Sequence, residues 1–180
     1  MNIILETERC YLREFILEDA QDFYKLNLDP EVIQYTGDVP FTSIEEAEEF
    51  IRNYNPYQKY GFGRWAVCDT KTDDFLGFCG LKYHKNVDFV EVGYRFYKTY
   101  WNKGFATETA KACVDFAFDS IKLPVMYCQV KKENLASIRV AEKLGFVFEK
   151  NYIDEEQDDA VLFKKDNPNI LYQKGRELSL

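Results

Sequence analysis

Hydrophobic and polar positions follow two different periods along the chain. From Asp19 onward, Ala20, Phe23, Tyr24 and Asn27 recur at helical spacing, which predicts a helix to about residue 28. Ala47, Phe50, Ile51 and Tyr54 fall at i, i+3, i+4 and i+7, the clearest amphipathic helix of the chain. Ser43 and Glu46 form an S-x-x-E capping box at its start, and Pro56 lies beyond its end. Glu45, Glu48 and Glu49 make up its outer face and read as solvated. Between the two helices, "LDPEVIQYTGDVPF" (28–41) holds two prolines and a glycine. It reads as an irregular connection placed to border a ligand.

Strand patterns follow. "CYLREF" (10–15) predicts one strand ahead of the first helix. Segments 64–69, 74–84 and 87–97 predict three more, joined by short polar turns as an antiparallel meander. Glycines 77, 80 and 93 inside them signal bulges or close backbone approach. In the next helix Ala106, Ala110, Val114 and Phe118 share one face, while Glu108, Lys111, Asp115 and Asp119 share another. A strand at 124–130 and a helix over 133–146 come next, with Gly145 as the helix stop. Strands 146–152 and 160–165 flank the acidic loop "IDEEQDD". The order β-α-α-β-β-β-α-β-α-β-β predicts an α/β mixed sheet with about four helices, not a doubly wound parallel one. We expect one domain over residues 1–165 and a polar C-terminal tail over 166–180.

Composition narrows the function. A chain of 180 residues, 46% hydrophobic and 30% charged, fits one globular domain with a substantial core. The net charge of −8 argues against broad nucleic-acid or anionic-membrane binding. No apolar run is long enough for a membrane span, and "MNIILETERC" has no basic, apolar leader pattern. The expected location is cytoplasmic. Five cysteines without a CxxC spacing read as reduced, buried thiols. His84, the only histidine, reads as a surface residue at a strand end. No metal site is expected, because zinc would find too few ligands.

The candidate chemistry centres on "WNKGFAT" (101–107), ahead of a helix. Helix N-termini offer unpaired N–H groups and a partial positive charge. Small residues at 104 and 106 would let an anion approach the backbone, and Lys103 adds charge. The spacing is neither a Walker loop nor a Rossmann fingerprint. On these residues alone, an anion site and an ordinary turn both remain open.

Three segments taken together go further. "EVGYRFYKTYWNKGFATETA" (91–110) resembles motif A of the GNAT superfamily, the Gcn5-related N-acetyltransferases. Trp101 stands in the Q/R slot, Gly104 at the glycine and Ala106 at the last small residue. "TERCYLREF" (7–15) and "ENLASIRVAEKLGF" (133–146) are similar to the opening and a later helix of the RimJ/RimL-like branch.

The resemblance implies a GNAT-type fold, a mostly antiparallel sheet splayed between strands 87–97 and 124–130. It also implies acetyl-CoA as cosubstrate, an amine as acceptor, and direct transfer in a ternary complex. Backbone N–H groups of Asn102, Lys103, Gly104, Phe105, Ala106 and Thr107 would hold the pyrophosphate. Main-chain groups of Arg95 and Phe96 would bind the pantetheine arm, Phe96 N–H also stabilising the oxyanion. Asn134 would bond the arm. Ser137 would contact CoA or donate a proton, since Ala141 stands where many members carry a tyrosine. Glu91, an acid in an apolar strand, is the candidate base. The acceptor is expected to be a peptide N-terminus or a small amine, the protein a monomer or homodimer. A CoA-binding sensor or scaffold without transferase activity is the alternative.

Overall fold

The structure, a computed structural model, describes residues 2–170. Eight strands form one sheet: β1 (Ile3–Glu6), β2 (Cys10–Arg13), β3 (Arg64–Asp69), β4 (Phe75–His84), β5 (Phe89–Phe96), β6 (Val125–Lys131), β7 (Val147–Ile153) and β8 (Asp159–Asp166). Their spatial order is β1-β2-β3-β4-β5-β6-β8-β7. Six neighbouring pairs are antiparallel, and only β5 and β6 run parallel. The helices are α1 (Ala20–Leu28), α2 (Pro30–Ile33), α3 (Ile44–Asn53), α4 (Pro56–Tyr60), α5 (Phe105–Asp119) and α6 (Leu135–Lys143). This is the mixed α/β sheet that the element order predicts.

Two details differ from the sequence reading. β1 precedes the predicted first strand; its "IILE" is too short to show a period, and only pairing with β2 defines it. The described helices number six rather than about four. The extra two, α2 and α4, are short and each begins at a proline, whose fixed φ suits a first turn. Of the 166–180 tail, residues 171–180 lie outside the described residues. No helix among the described residues is long and apolar enough to cross a membrane.

The period-two alternation sends side chains to two cores. On one face Trp65, Val67, Cys79, Leu81, Val92 and Met126 pack against Ala110, Cys113, Val114 and Ala117 of α5 and Ala141 of α6. On the other, Ala66, Cys68 and Phe78 pack against Phe23 and Leu26 of α1 and Ala47 and Ile51 of α3. The five cysteines are buried and free. Ser43 Oγ accepts from Glu46 N–H at 3.3 Å, but the Glu46 carboxylate turns to Thr42, accepting from its N–H at 2.6 Å. The capping box therefore closes one residue earlier than its motif implies.

One buried ion pair sets α1 on the sheet. Arg13 donates from both terminal nitrogens to the two carboxylate oxygens of Asp19, each at 2.7 Å. Asp19 also accepts from Ile16 N–H at 2.9 Å. Both side chains are almost fully buried, so removing one partner strands a charge without water. Asp19→Ala is expected to cost about 3–5 kcal/mol of stability, read as a lowered urea midpoint.

Candidate active site

The sheet opens where its one parallel pair begins. The β5–β6 ladder consists of a single pair, Glu91 with Tyr127, and the two strands diverge beyond it. The backbone of β5 therefore presents an unpaired edge towards β6. Tyr97 N–H donates to Leu76 of β4 at 3.1 Å. Backbone groups alternate sides along a strand, so the preceding N–H, that of Phe96, points into the gap. The carbonyl of Arg95 faces β4 instead. A Cβ added at Gly77 would collide with it, so the close approach needs glycine there. The carbonyl of Phe96 is already bonded, accepting from the Trp101 indole N–H at 2.8 Å. That bond gives Trp101 a physical role: it ties the loop after β5 back to the strand.

This loop leads into α5. Gly104, the residue before the helix, has φ +85, and Asn102 has φ +59. Both are left-handed, a conformation open to glycine and tolerated by asparagine. No side chain caps the helix start, and the N–H groups of Phe105, Ala106 and Thr107 have no carbonyl one turn back. A Cβ at Gly104 would meet only Arg9 Nη2, at 3.4 Å. Lys103 is exposed beside them.

The N-terminal hairpin clamps this start. Glu108, on the polar face of α5, is only partly exposed. Its Oε1 accepts from Thr7 Oγ1 at 2.7 Å and Arg9 N–H at 2.9 Å. Its Oε2 lies 2.7 Å from Arg9 Nε and 2.6 Å from Nη2. Arg9 Nη1 also donates to the Lys103 carbonyl at 3.0 Å, and its guanidinium lies 4.1 Å from the centre of the Phe105 ring. The sequence separates these residues by about a hundred positions and carries no local sign of the clamp.

On the face that carries α1, β5 shows a charged row. Glu91 is largely buried, with its Oε1 3.7 Å from Arg64 Nη2 and 3.0 Å from His84 Nε2. The reading of His84 as a surface residue is corrected: its side chain is 22% exposed and its ring is 5.1 Å from that of Phe89. The hairpin register, pairing Lys82 with Glu91 and His84 with Phe89, was the missed signal. Arg95 extends its buried side chain to Asn27 Oδ1 at 2.8 Å and to the Asp38 carboxylate. It thereby anchors the 28–41 connection to β5. Asn27 Nδ2 donates to the Val39 carbonyl at 3.0 Å. Glu156 of the acidic loop reaches Gly37, where its Oε1 would lie 2.5 Å from an added Cβ. Both loops singled out in the sequence thus meet on this face. The ammonium of Lys131 sits among Asp154, Glu156 and Asp158 at 2.5, 3.0 and 2.8 Å.

α6 lies across the gap from β5. Asn134 Oδ1 accepts from Ser137 N–H at 3.1 Å, so it caps the helix while keeping its amide donor. Ala141 is buried in the core. Ser137 stands beside the Tyr94 phenol. Burial pushes that phenol well above its ordinary value, and the Ser137 hydrogen bond only partly offsets it.

Comparison with known proteins agrees with this geometry. The family model described as Acetyltransferase (GNAT) domain matches residues 9–147. The chain is 33% identical over 144 residues to the N-acetyltransferase p20 of Bacillus licheniformis, covering 79% of this chain and 81% of that protein. A solved structure of RimL, a ribosomal L7/L12 α-N-protein acetyltransferase in complex with coenzyme A, superposes with a TM-score of 0.77 at 16% identity. That match covers 92% of this chain and 98% of RimL. The spermidine N-acetyltransferase of Vibrio cholerae, solved with CoA and spermine, superposes with a TM-score of 0.74 at 21% identity. It covers 90% of this chain and 98% of that one.

The clamp has a titration signature. Burial pushes the Glu108 carboxyl up, but the hydrogen bonds from Thr7 and Arg9 and the Arg9 charge outweigh it, leaving it below its ordinary value. Its contribution to stability is therefore complete above about pH 4.3 and lost as pH falls through the lower, folded-state value. Glu108→Gln is expected to lose about 1 kcal/mol at pH 7. Urea unfolding from pH 7 to 3 should show this deficit closing below about pH 4.3.

Proposed function

The chain belongs to the GNAT family of N-acetyltransferases, and from that premise we propose that it moves acetyl from acetyl-CoA to a primary amine by direct attack in a ternary complex. The observation that carries the reading is the continuity of two donor sets. The Phe96 N–H on the open edge of β5 leads, within ten residues, to the uncapped N-terminus of α5. A thioester carbonyl and a pyrophosphate need such donors at opposite ends of one extended molecule.

Each residue has a role in this reading. Asn102, Lys103, Gly104, Phe105, Ala106 and Thr107 form the pyrophosphate cradle. Phe96 N–H polarises the thioester carbonyl and holds the oxyanion that forms on attack. Arg95 contributes through its neighbours: its carbonyl faces β4, and its side chain fixes the acceptor-side connection. Asn134 offers its amide donor to the pantetheine arm. Ser137, beside Tyr94, is placed to return a proton to the leaving thiolate.

The acceptor is a peptide N-terminus or a small amine, and it must be neutral to attack. Deprotonation at pH 7 costs about 4.6 kcal/mol for a lysine-type amine and about 1.4 kcal/mol for an α-amine. Glu91 takes that proton as general base. It lies at the vertex of the splay, on the strand that carries the Phe96 N–H.

The test is calorimetric titration with acetyl-CoA, followed by CoA-release assays over a panel of amines and N-terminal peptides. Saturable binding with turnover on a panel member is expected. Tight binding without turnover on any acceptor would return the protein to a CoA-binding sensor or scaffold. Gly104→Glu is expected to abolish CoA binding while the protein still folds, its melting temperature lowered by only a few degrees because Glu is strained at φ +85. It places a carboxylate in the cradle at a position where only Arg9 is close. Unchanged affinity would refute the cradle. Glu91→Gln is expected to lower kcat at least tenfold with little change in acetyl-CoA affinity.

A further inference from the structure

Glu91 is well placed to accept a proton and poorly placed to lose it. Its side chain is 11% exposed, and the Arg64 guanidinium faces the same oxygen as His84 does. A base in this position must shed its proton before the next turnover, through a group nearer to water. His84 meets that requirement. It is a diagonal neighbour of Glu91 across β4 and β5, on the same face. Its Nε2 stands 3.0 Å from Glu91 Oε1. The approach lacks the alignment of a hydrogen bond, so Nε2 is buried without a satisfied partner, while other ring atoms reach solvent. No other histidine exists in the chain.

We propose that His84 is a proton-relay residue: it takes from Glu91 the proton that Glu91 removes from the acceptor ammonium, and delivers it to solvent. The inference rests on the reading of Glu91 as general base. The step balances without a further reactant. The ammonium N–H bond breaks, its electron pair stays on nitrogen, and an O–H bond forms at Glu91 Oε1. That O–H bond then breaks as an N–H bond forms at His84 Nε2. The imidazolium releases a proton to water from its exposed edge, which leaves the Nε2–H tautomer, and tautomer exchange through water then bares Nε2 again and restores both groups.

The charged and titratable surroundings of the pair are Arg64 from β3, Lys82 opposite Glu91 on β4, Tyr127 and Cys128 from β6, and Tyr152 from β7. Burial pushes the Tyr152 phenol up to about 12, helped by the Glu91 charge, so Tyr152 stays protonated in the working range and does not compete. Burial likewise raises the Cys128 thiol, again with a smaller push from Glu91.

Two measurements test the relay. The first needs no acceptor: a proton NMR titration of the single imidazole in the wild type and in Glu91→Gln. The two curves are expected to differ, and superimposable curves would overturn the coupling. The second is steady-state kinetics of His84→Ala on the best acceptor of the panel. We expect kcat to fall at least tenfold, the KM for acetyl-CoA to hold within twofold, and added imidazole to restore turnover. A kcat within twofold of wild type, or a loss that imidazole does not rescue, would overturn the proposal. If His84→Ala does not fold, His84→Gln serves, and an unchanged acid limb of its pH–rate profile overturns the proposal equally. An impaired Glu91→Gln beside an unimpaired His84 variant removes the relay alone, whereas a fully active Glu91→Gln removes the base.

Discussion

The whole site depends on one constraint: β5 and β6 share a single ladder pair and then part. Parallel strands in the middle of a sheet normally satisfy each other's backbone groups. Here that requirement is broken within the molecule, and an extended guest can meet it by behaving as an added strand. What flanks the gap follows from the parting. The β4 edge of β5 is fully paired, which turns the Arg95 carbonyl away and the Phe96 N–H towards the opening. The crossover from β5 to β6 must pass over the top of the sheet, and α5 makes that crossover, so its N-terminus arrives at the open end. The topology thus places a helix start and a free strand edge together without any dedicated binding loop.

The coarse fold was legible because its signals are local. Period-two runs bounded by polar turns gave the meander, and the i, i+3, i+4 pattern gave α3 and α5. Gly145, at φ +77 after α6, ended its helix as its position implied. β1, α2 and α4 escaped notice because four or five residues carry too little periodicity to stand apart from a loop. Pairing with β2 defines the first, and proline-started turns define the others.

The candidate site was legible only in part, for a different reason. Gly104, Ala106 and the helix that follows form one continuous stretch, so a glycine turn ahead of a helix start could be read directly. Glu91 stood out as an acid among apolar neighbours. His84 did not, because its meaning depends on the hairpin register that sets it 3.0 Å from Glu91. Arg95 was marked for its backbone, while its side chain holds Asn27 and Asp38, residues 68 and 57 positions earlier. That arrangement joins two distant parts of the chain. One residue lies in the strand that lines the β5–β6 gap and also fixes the 28–41 connection. Glu108 reads only as one of four polar residues sharing a face of α5, since nothing in α5 alone foretells partners in the N-terminal hairpin.

That hairpin has a consequence for how the protein is made and handled. Thr7 and Glu108 are 101 residues apart in sequence, so during synthesis the first strands leave the ribosome long before their partner on α5 exists. The start of α5 is therefore completed by the oldest part of the nascent chain reaching forward to a much younger one. A truncation that reaches Thr7 and Arg9 takes the partners of Glu108 with it.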